Sequence, residues 1–404
     1  MGLATPEGNN WRKTKIKGGH AAVKIYLSQD WFLKFLNGDE NASEYEGFYN
    51  EGESWIFLPL PGYRNASLRM AREGTKTDLP DDPSCVTAVV SHDGTITCFT
   101  VEKGAVVERE VEMINPREDV YARNRGLLET RCLKDKTVLI AGCGSVGSTM
   151  AVELARAGIG SLILADPDHL EPSNICRHQA GLQHLGRLKV NAVKDMVLSI
   201  NPFIAVETHP EDICSDMETM ETTGLLSEKC DLIICTTDTD SSRIFINDLS
   251  LALKKPCIHA GLHERAASGI VQSVIPGQGA CFLCHREKIL RETRKGNGAV
   301  AYSEKGEEIA VQPGLSSQIN VVAEVAVLKA IEILTAPTHD EENSRSDFGK
   351  SLTFIKTRSR PASGEEGRLT FSSAHFSLEA FEKCPACGDD PSLLGQAAGF
   401  GQDP

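Results

Sequence analysis

The run Thr137-Val-Leu-Ile-Ala-Gly-Cys-Gly-Ser-Val-Gly147 constrains the fold of this chain more than any other stretch. Val138 to Ala141 are consecutive apolar residues and read as a buried strand. Gly142, Gly144 and Gly147 then form a G-x-G-x-x-G turn, and Ser148 to Ala157 continue with helical periodicity. A strand that passes into a helix through such a turn implies an α/β fold with a Rossmann-like, doubly wound sheet. Its glycines permit the bend and let backbone N–H groups approach a phosphate at the positive end of the helix. A second apolar strand ends in Asp166, about twenty residues further on, where a carboxylate can hydrogen-bond a ribose hydroxyl. Taken alone, these features suit a nicotinamide enzyme.

The residues after Asp166 point to a different ligand. Asp168 is followed by Ser173-Asn174-Ile-Cys-Arg177-His178, then Gly186-Arg-Leu-Lys189, then Thr236-Thr-Asp238-Thr-Asp-Ser-Ser-Arg243. Hydride transfer has no evident use for this set. An arginine fork, a lysine point charge and carboxylates at strand ends suit a polyphosphate and a metal ion. Asp238 follows the apolar strand Leu232 to Cys235, so it belongs at the carboxyl edge of the sheet, where one carboxylate suffices to help hold Mg²⁺ on a triphosphate. Each residue also has a plainer reading: Lys189 as a solvated helix residue, Asp238 as the cap of a helix beginning near Ser241, Asp168 as part of a turn with Pro167. Arg243, in the first turn of that helix, is unfavourably placed for the helix dipole and invites a phosphate or carboxylate partner.

In these residues the chain resembles the ThiF/MoeB/ubiquitin-activating-enzyme superfamily, and the match runs from about Tyr121 to Gly388. The resemblance implies ATP and Mg²⁺ as ligands and adenylation of the C-terminal carboxylate of a ubiquitin-like or sulfur-carrier protein. It implies Gly142, Gly144 and Gly147 as the nucleotide cradle, Asp166 on the ribose with Asp168 beside it, and Asn174 and Arg177 on the phosphate side. Lys189 becomes the triphosphate lysine and Asp238 the magnesium ligand. Arg123-Asn-Arg125-Gly-Leu-Leu, Asn174-x-x-Arg-His178 and Pro276-Gly-x-x-Ala-Cys281-Phe-x-Cys284 are most similar to bacterial members from phage-defence operons, which work beside conjugating-enzyme homologues. Members of the superfamily carry a short arginine-bearing helix before the first strand. That implies a homodimer in which Arg125 reaches the partner's ATP site while Arg123 steadies the helix; a basic helix packed on its own domain is the alternative.

The chain holds 13 cysteines. Cys281-Phe-Leu-Cys284 and Cys384-Pro-Ala-Cys387 form two C-x-x-C knuckles, which suit a tetrahedral four-thiolate Zn²⁺ and coincide with the superfamily's structural zinc. The other cysteines are scattered and imply no disulfide framework. Cys143 and Cys176 lie inside nucleotide motifs and read as small buried thiols. Conjugating members carry a nucleophilic cysteine in the loop after the first knuckle, yet residues 285 to 383 contain none. Three explanations stay open: adenylation alone with direct hand-over to another protein's cysteine, a cysteine elsewhere in the chain, or a loop cysteine replaced by Ala299 or Ala301.

The net charge of −14 argues against a nucleic-acid surface; the resemblance implies a partner with a basic C-terminal tail, which an acidic groove would attract. No leader and no membrane-spanning apolar run is legible, so a reducing cytoplasm is expected. Upstream, Trp31-Phe-Leu-Lys-Phe, Ser54 to Pro61 and Ser84 to Val101 read as β segments with a hairpin at His92-Asp93-Gly94. Composition shifts near Asn115-Pro116. The expected organisation is an N-terminal strand-rich accessory domain (1–116), a ThiF-type adenylation domain with zinc knuckles (117–390) and a mobile tail (391–404). Helix periodicity over Val321 to Ile333, and strands at Leu352 to Arg358 and Arg368 to Phe376, complete the pattern. Adenylation of a peptide or sulfur carrier, or an inactive nucleotide-binding scaffold, are the competing functions.

Overall fold

The computed structural model describes residues 23–51, 53–59, 64–77, 79–124, 126, 132–263, 266–286, 314–335, 351–358 and 369–388. Two compact units divide between Arg123 and Asn124.

In the first unit a closed barrel runs β1(Lys24–Ser28), β3(Ser54–Phe57), β2(Ala42–Asn50), β4(Ala66–Arg72), β5(Cys85–Val90), β6(Ile96–Glu102), β7(Ala105–Ile114), with β7 returning to pair with β1. Ile25, Leu27, Trp55, Phe57, Leu68, Met70, Val86 and Ala88 alternate inward along their strands and fill it. The hairpin at Gly94 is present, with Gly94 at φ +84° in the turn joining β5 to β6. Trp31 to Phe35, expected as a strand, is instead part of helix α1(Gln29–Asn37). Ser28 caps it by accepting from the Trp31 N–H at 3.4 Å. Trp31, Phe32, Phe35 and Leu36 fall on one face at helical spacing, which a reading of aromatic content as β propensity overlooks. Arg72 closes the far end of α1, donating to the carbonyls of Phe35, Leu36 and Gly38. After β7, α2(Pro116–Asp119) is only one turn long, and the chain continues as turns to Asn124, with Arg123 exposed. Residues 121–124 are turns rather than helix, and the Asp119 carboxylate accepts from the Asn115 N–H at 2.7 Å at the start of α2. Arg125 lies outside the described residues.

The second unit is built on an eight-stranded sheet in the order β10(Ala205–His209), β9(Ser161–Ala165), β8(Thr137–Ala141), β11(Leu232–Cys235), β12(Cys257–His263), β13(Ser268–Val274), β14(Leu352–Arg358), β15(Leu369–Phe376). From β10 to β12 the pairings are parallel; from β12 onward they are antiparallel. The four parallel core strands are near-continuous apolar runs because both faces are covered. Val138, Ile140, Leu162, Leu164, Leu232 and Ile234 face α3(Ser145–Ala157), α4(Lys189–Ile200) and α7(Ser316–Thr335). Leu139, Ala141, Ile163, Ala165, Ile233 and Cys235 face α5(Met217–Glu228), α6(Asp240–Leu253) and the cysteine knuckles. Each buried valine, leucine or isoleucine among them contributes about 1.5–3 kcal/mol, so the carboxyl edge of this sheet is a firmly held rim. The doubly wound Rossmann-like fold is thus the one the glycine run demands. Helix α7 starts earlier than periodicity suggested, and α3 begins at Ser145 directly after the turn.

Candidate nucleotide site

Chain order reverses between β8 and β11. The connection leaving β8 leads to β9 and β10 on one side, whereas β11 and β12 lie on the other. Loops that follow adjacent strands at such a point diverge and leave a crevice, the usual ligand position in open α/β sheets. The loop after β8 is the glycine turn; the loop after β11 is Thr236-Thr-Asp238.

The glycines differ in what requires them. Gly142 sits at φ +95°, and a Cβ there would meet Thr236 and Thr237 at 3.0 Å. A Cβ on Gly147 would lie 1.9 Å from the Gly142 carbonyl oxygen. These two are fixed by the protein's own packing. Gly144, the N-cap of α3, has an ordinary φ of −74°, and a Cβ on it would meet nothing within 4 Å. No neighbour within the fold demands glycine there, whereas a ligand phosphate approaching the helix N-terminus would.

Asp166, at the end of β9, is 7% exposed, and its two oxygens accept from the Cys143 N–H (2.7 Å) and the Asp168 N–H (2.9 Å). Burial holds its carboxyl above the usual carboxylate range, while Lys189 and the two N–H groups pull it back down. The strip 168–170 runs against 186–189: the Leu170 N–H donates to the Arg187 carbonyl at 2.8 Å, and the Lys189 N–H to the Asp168 carbonyl at 2.9 Å. That pairing delivers Lys189 to the rim as the first residue of α4. Its Nζ lies 2.6 Å from Asp168 and 4.0 Å from Asp166, so it is an enclosed group of the site rather than a solvated face residue.

Pro172–Asn174 forms a 3-10 turn in which the Asn174 side-chain oxygen accepts from the Glu171 N–H at 2.9 Å. Arg177 follows it, half-buried, its N–H donating to the Asn174 carbonyl at 3.0 Å. Cys143 is enclosed as expected, and burial, then Asp166, pushes its thiol up. Cys176 departs from expectation: it is exposed, because within this turn Ile175 packs inward and Cys176 faces out.

Asp238 is exposed at the end of the β11 loop. The capping alternative is excluded, since Thr239 is the N-cap of α6 and accepts from the Ser242 N–H at 3.3 Å. Arg243 donates through Nε to the Thr237 carbonyl at 2.9 Å, which ties the start of α6 to the loop after β11 and uses one of its five N–H donors.

Two supporting residues were not singled out from the sequence. Thr236 donates to the Gly142 carbonyl at 2.7 Å, tying the two walls of the crevice together. His178 bonds the Cys143 carbonyl through Nε2 at 2.8 Å and accepts from the Ala180 N–H through Nδ1 at 2.9 Å, which defines the neutral Nε2–H tautomer. Burial depresses its pKa. The only sequence signal for either was proximity to the glycine and asparagine motifs.

The knuckles converge as their spacing suggested. Cys281, Cys284, Cys384 and Cys387 place their sulfurs within 4.8 Å of one another, with neighbouring pairs at 3.4, 3.6 and 3.9 Å. Tetrahedral Zn–S bonds require sulfurs about 3.8 Å apart, so the donor set fits zinc. A hydrogen bond from Cys281 draws the Cys284 thiol down to about 5, while Cys281 is pushed far up. Ala299, Ala301 and most of the loop around them lie outside the described residues, as do 338–350 and the tail after Asp390.

The ThiF family model matches residues 117–363, more than half of the chain, and the chain belongs to the ThiF family. It is similar to ubiquitin-like modifier-activating enzyme 5 of Bombyx mori, 32% identical over 220 residues, covering 50% of this chain and 55% of that protein. Its counterpart in Dictyostelium discoideum is 35% identical over 192 residues, covering 45% and 50%. The chain thus spans about half the length of the curated relatives it matches. Among solved structures, E. coli MccB with ATP matches at TM-score 0.49 and 21% identity, covering 67% of this chain and 75% of that one, a likeness too loose to bear on chemistry. Among the described residues no helix is long and apolar enough to cross a membrane.

Proposed function

We propose that this chain adenylates the C-terminal carboxylate of a ubiquitin-like protein. The observation that carries the reading is the crevice between β8 and β11, whose rim bears Gly144, Asp166, Lys189 and Asp238. ATP lies over the glycine turn, with its ribose on Asp166 and a phosphate against the N-terminus of α3. Asn174 keeps its amide N–H₂ for phosphate while its oxygen holds the turn, and Arg177 and Lys189 neutralise triphosphate charge. Asp238, with Asp168, offers the oxygens for Mg²⁺, which when bound neutralises the phosphates further. The substrate carboxylate attacks the α-phosphorus; its new O–P bond replaces the bond to pyrophosphate, which leaves. The nucleophile arrives ionised, so no side chain need remove a proton, and catalysis is positioning plus charge stabilisation.

The relatives' printed name supports the choice of a ubiquitin-like substrate. In the same reading the product passes to the cysteine of a conjugating-enzyme homologue in a bacterial cytoplasmic antiphage pathway. The active unit is a homodimer that supplies Arg125 in trans, and Zn²⁺ on the four cysteines is structural. The test is ATP–pyrophosphate exchange with a panel of ubiquitin-like proteins. Tail-dependent exchange is expected, abolished by Asp238→Ala with the fold intact; absence of exchange with any cognate tail sinks the reading.

A further inference from the structure

Helix α6 joins two places that nothing in the nucleotide site by itself connects. At its start, the Arg243 Nε holds the Thr237 carbonyl, the residue before Asp238, at 2.9 Å. Arg243 is itself confined: its guanidinium lies so close to Gly261 of β12 that a Cβ there would sit 2.5 Å from Nη2. One turn further, on the same face, Asn247 is fully buried, and its side-chain oxygen accepts from the Phe282 N–H at 2.9 Å. Phe282 stands between the two cysteines of the first knuckle, and the Cys281 carbonyl is held from the other side by the Gln272 amide at 3.0 Å. Residues 282–286 run on as a helical turn that ends in Arg286, which binds the Asp240 carboxylate through Nε (3.2 Å) and Nη2 (2.8 Å). Asp240 is the first residue of α6, two beyond Asp238.

We propose that Arg243 and Asn247 are positioning residues through which the cysteine knuckle fixes the Thr237-Asp238 loop at the mouth of the crevice. The function given to that loop rests on the adenylation reading above; the positioning does not. Besides the Thr237 hydroxyl's contact with the Cys235 sulfur at 3.3 Å, three contacts from α6 set the loop: the Arg243 bond, and the hydroxyl chain in which Ser242 meets both Thr237 and Thr239 at 2.6 Å. All three are anchored on a helix that packs under the sheet through Phe245, Ile246 and Leu249 and that the buried Asn247–Phe282 bond ties to the knuckle. The Arg286–Asp240 pair adds little, because both side chains are largely in water. A buried bond that leaves a backbone N–H unpaired when broken is the dominant link.

Asn247→Leu removes the acceptor and keeps the branched shape at a larger volume, and Arg243→Met removes the donor to Thr237 while keeping the stem. Hydrogen–deuterium exchange is read on peptides covering 236–243 and, as a reference, α4. Either variant is expected to speed exchange at 236–243 by about tenfold and leave α4 unchanged. Arg243→Met decides the matter if Asn247→Leu does not fold. Unchanged exchange at 236–243, or equal acceleration throughout, overturns the proposal. The Mg²⁺ concentration for half-maximal ATP binding is measured on the same samples and should rise, with Mg²⁺-free binding unmoved. Faster loop exchange with unmoved Mg²⁺ dependence upholds the positioning and removes Asp238 from the metal instead.

Discussion

Alanine at Gly144 and at Gly147 should separate binding from folding, because the two positions face opposite constraints. Gly147 lies in the first turn of α3, where helix propensity alone would favour alanine by about 1 kcal/mol. Its new methyl, however, would stand 1.9 Å from the Gly142 carbonyl oxygen and 2.8 Å from the Thr236 Oγ1. Relieving a contact with backbone costs about 3 kcal/mol, at the upper end of overpacking. The net loss is about 2 kcal/mol, a fall of roughly 4–8 °C in thermal midpoint for a unit of this size. At Gly144 the methyl enters open space at φ −74°, so the cost is no more than about 1 kcal/mol for a poorer N-cap. That methyl occupies the approach to the N-terminal amides, and ATP affinity should fall at least about tenfold, or about 1.4 kcal/mol. Scanning calorimetry and titration with a fluorescent ATP analogue measure both quantities. A Gly144→Ala protein that binds ATP like the parent refutes the cradle; a stabilised Gly147→Ala protein refutes the packing argument.

Three further outcomes follow from the site and its surroundings. Lys189→Met should lower pyrophosphate exchange by about 10²-fold and, by removing the charge that draws it down, push the Asp166 carboxyl further up; near-parental exchange contradicts this. His259, fully buried on β12, is pushed down to about 3 by burial, then by Arg243 and His285. The unfolded chain protonates near 6.5, so the stability is present above that value and lost as pH falls toward 3, by about 2 kcal/mol at pH 5. His259→Phe should flatten that dependence in urea melts at pH 7.5 and 5, and an unaltered slope counts against it. The purified chain should carry about one zinc, lost in Cys284→Ser with a lower thermal midpoint; a metal-free parent of unchanged stability would show the thiols to be structural without metal.

Features written in strict local spacing were legible from the sequence: the glycine turn, the apolar runs of β8, β9 and β11, the paired knuckles and the His92-Asp93-Gly94 turn. Each encodes its structure within a few residues. Trp31 to Phe35 misled because aromatic content suggested a strand, while the deciding information was the cap at Ser28 and a one-sided period. Cys176 misled because an apolar neighbour, Ile175, takes the inward position in a tight turn. Arg243 was legible as a charge in need of a partner; its Nε bond to the Thr237 backbone carbonyl is one that no side-chain pattern reveals. The link from Asn247 to Phe282 joins residues 35 apart in sequence and has no local signature at all.

The rim is organised so that its charges hold position before any ligand arrives. Asp166 is fixed by two backbone N–H groups, and Lys189 by its place as the first residue of α4. The Lys189–Asp168 pair is unequal: the lysine side chain is 11% exposed and the aspartate 64%. Displacing Asp168 returns a carboxylate mostly to water at small cost, as for other pairs with an exposed partner. The ammonium stays where it was, enclosed and aimed at the crevice. A phosphate that takes Asp168's place forms a charge-assisted bond worth about 1.5–3 kcal/mol without having to order the lysine first. On the same proposal the released carboxylate would meet the cation that accompanies the phosphates. In the proposed adenylation the Lys189–Asp168 pair serves as a preorganised phosphate site whose carboxylate the phosphate replaces, and that links the local pairing of 168–170 with 186–189 to the proposed chemistry.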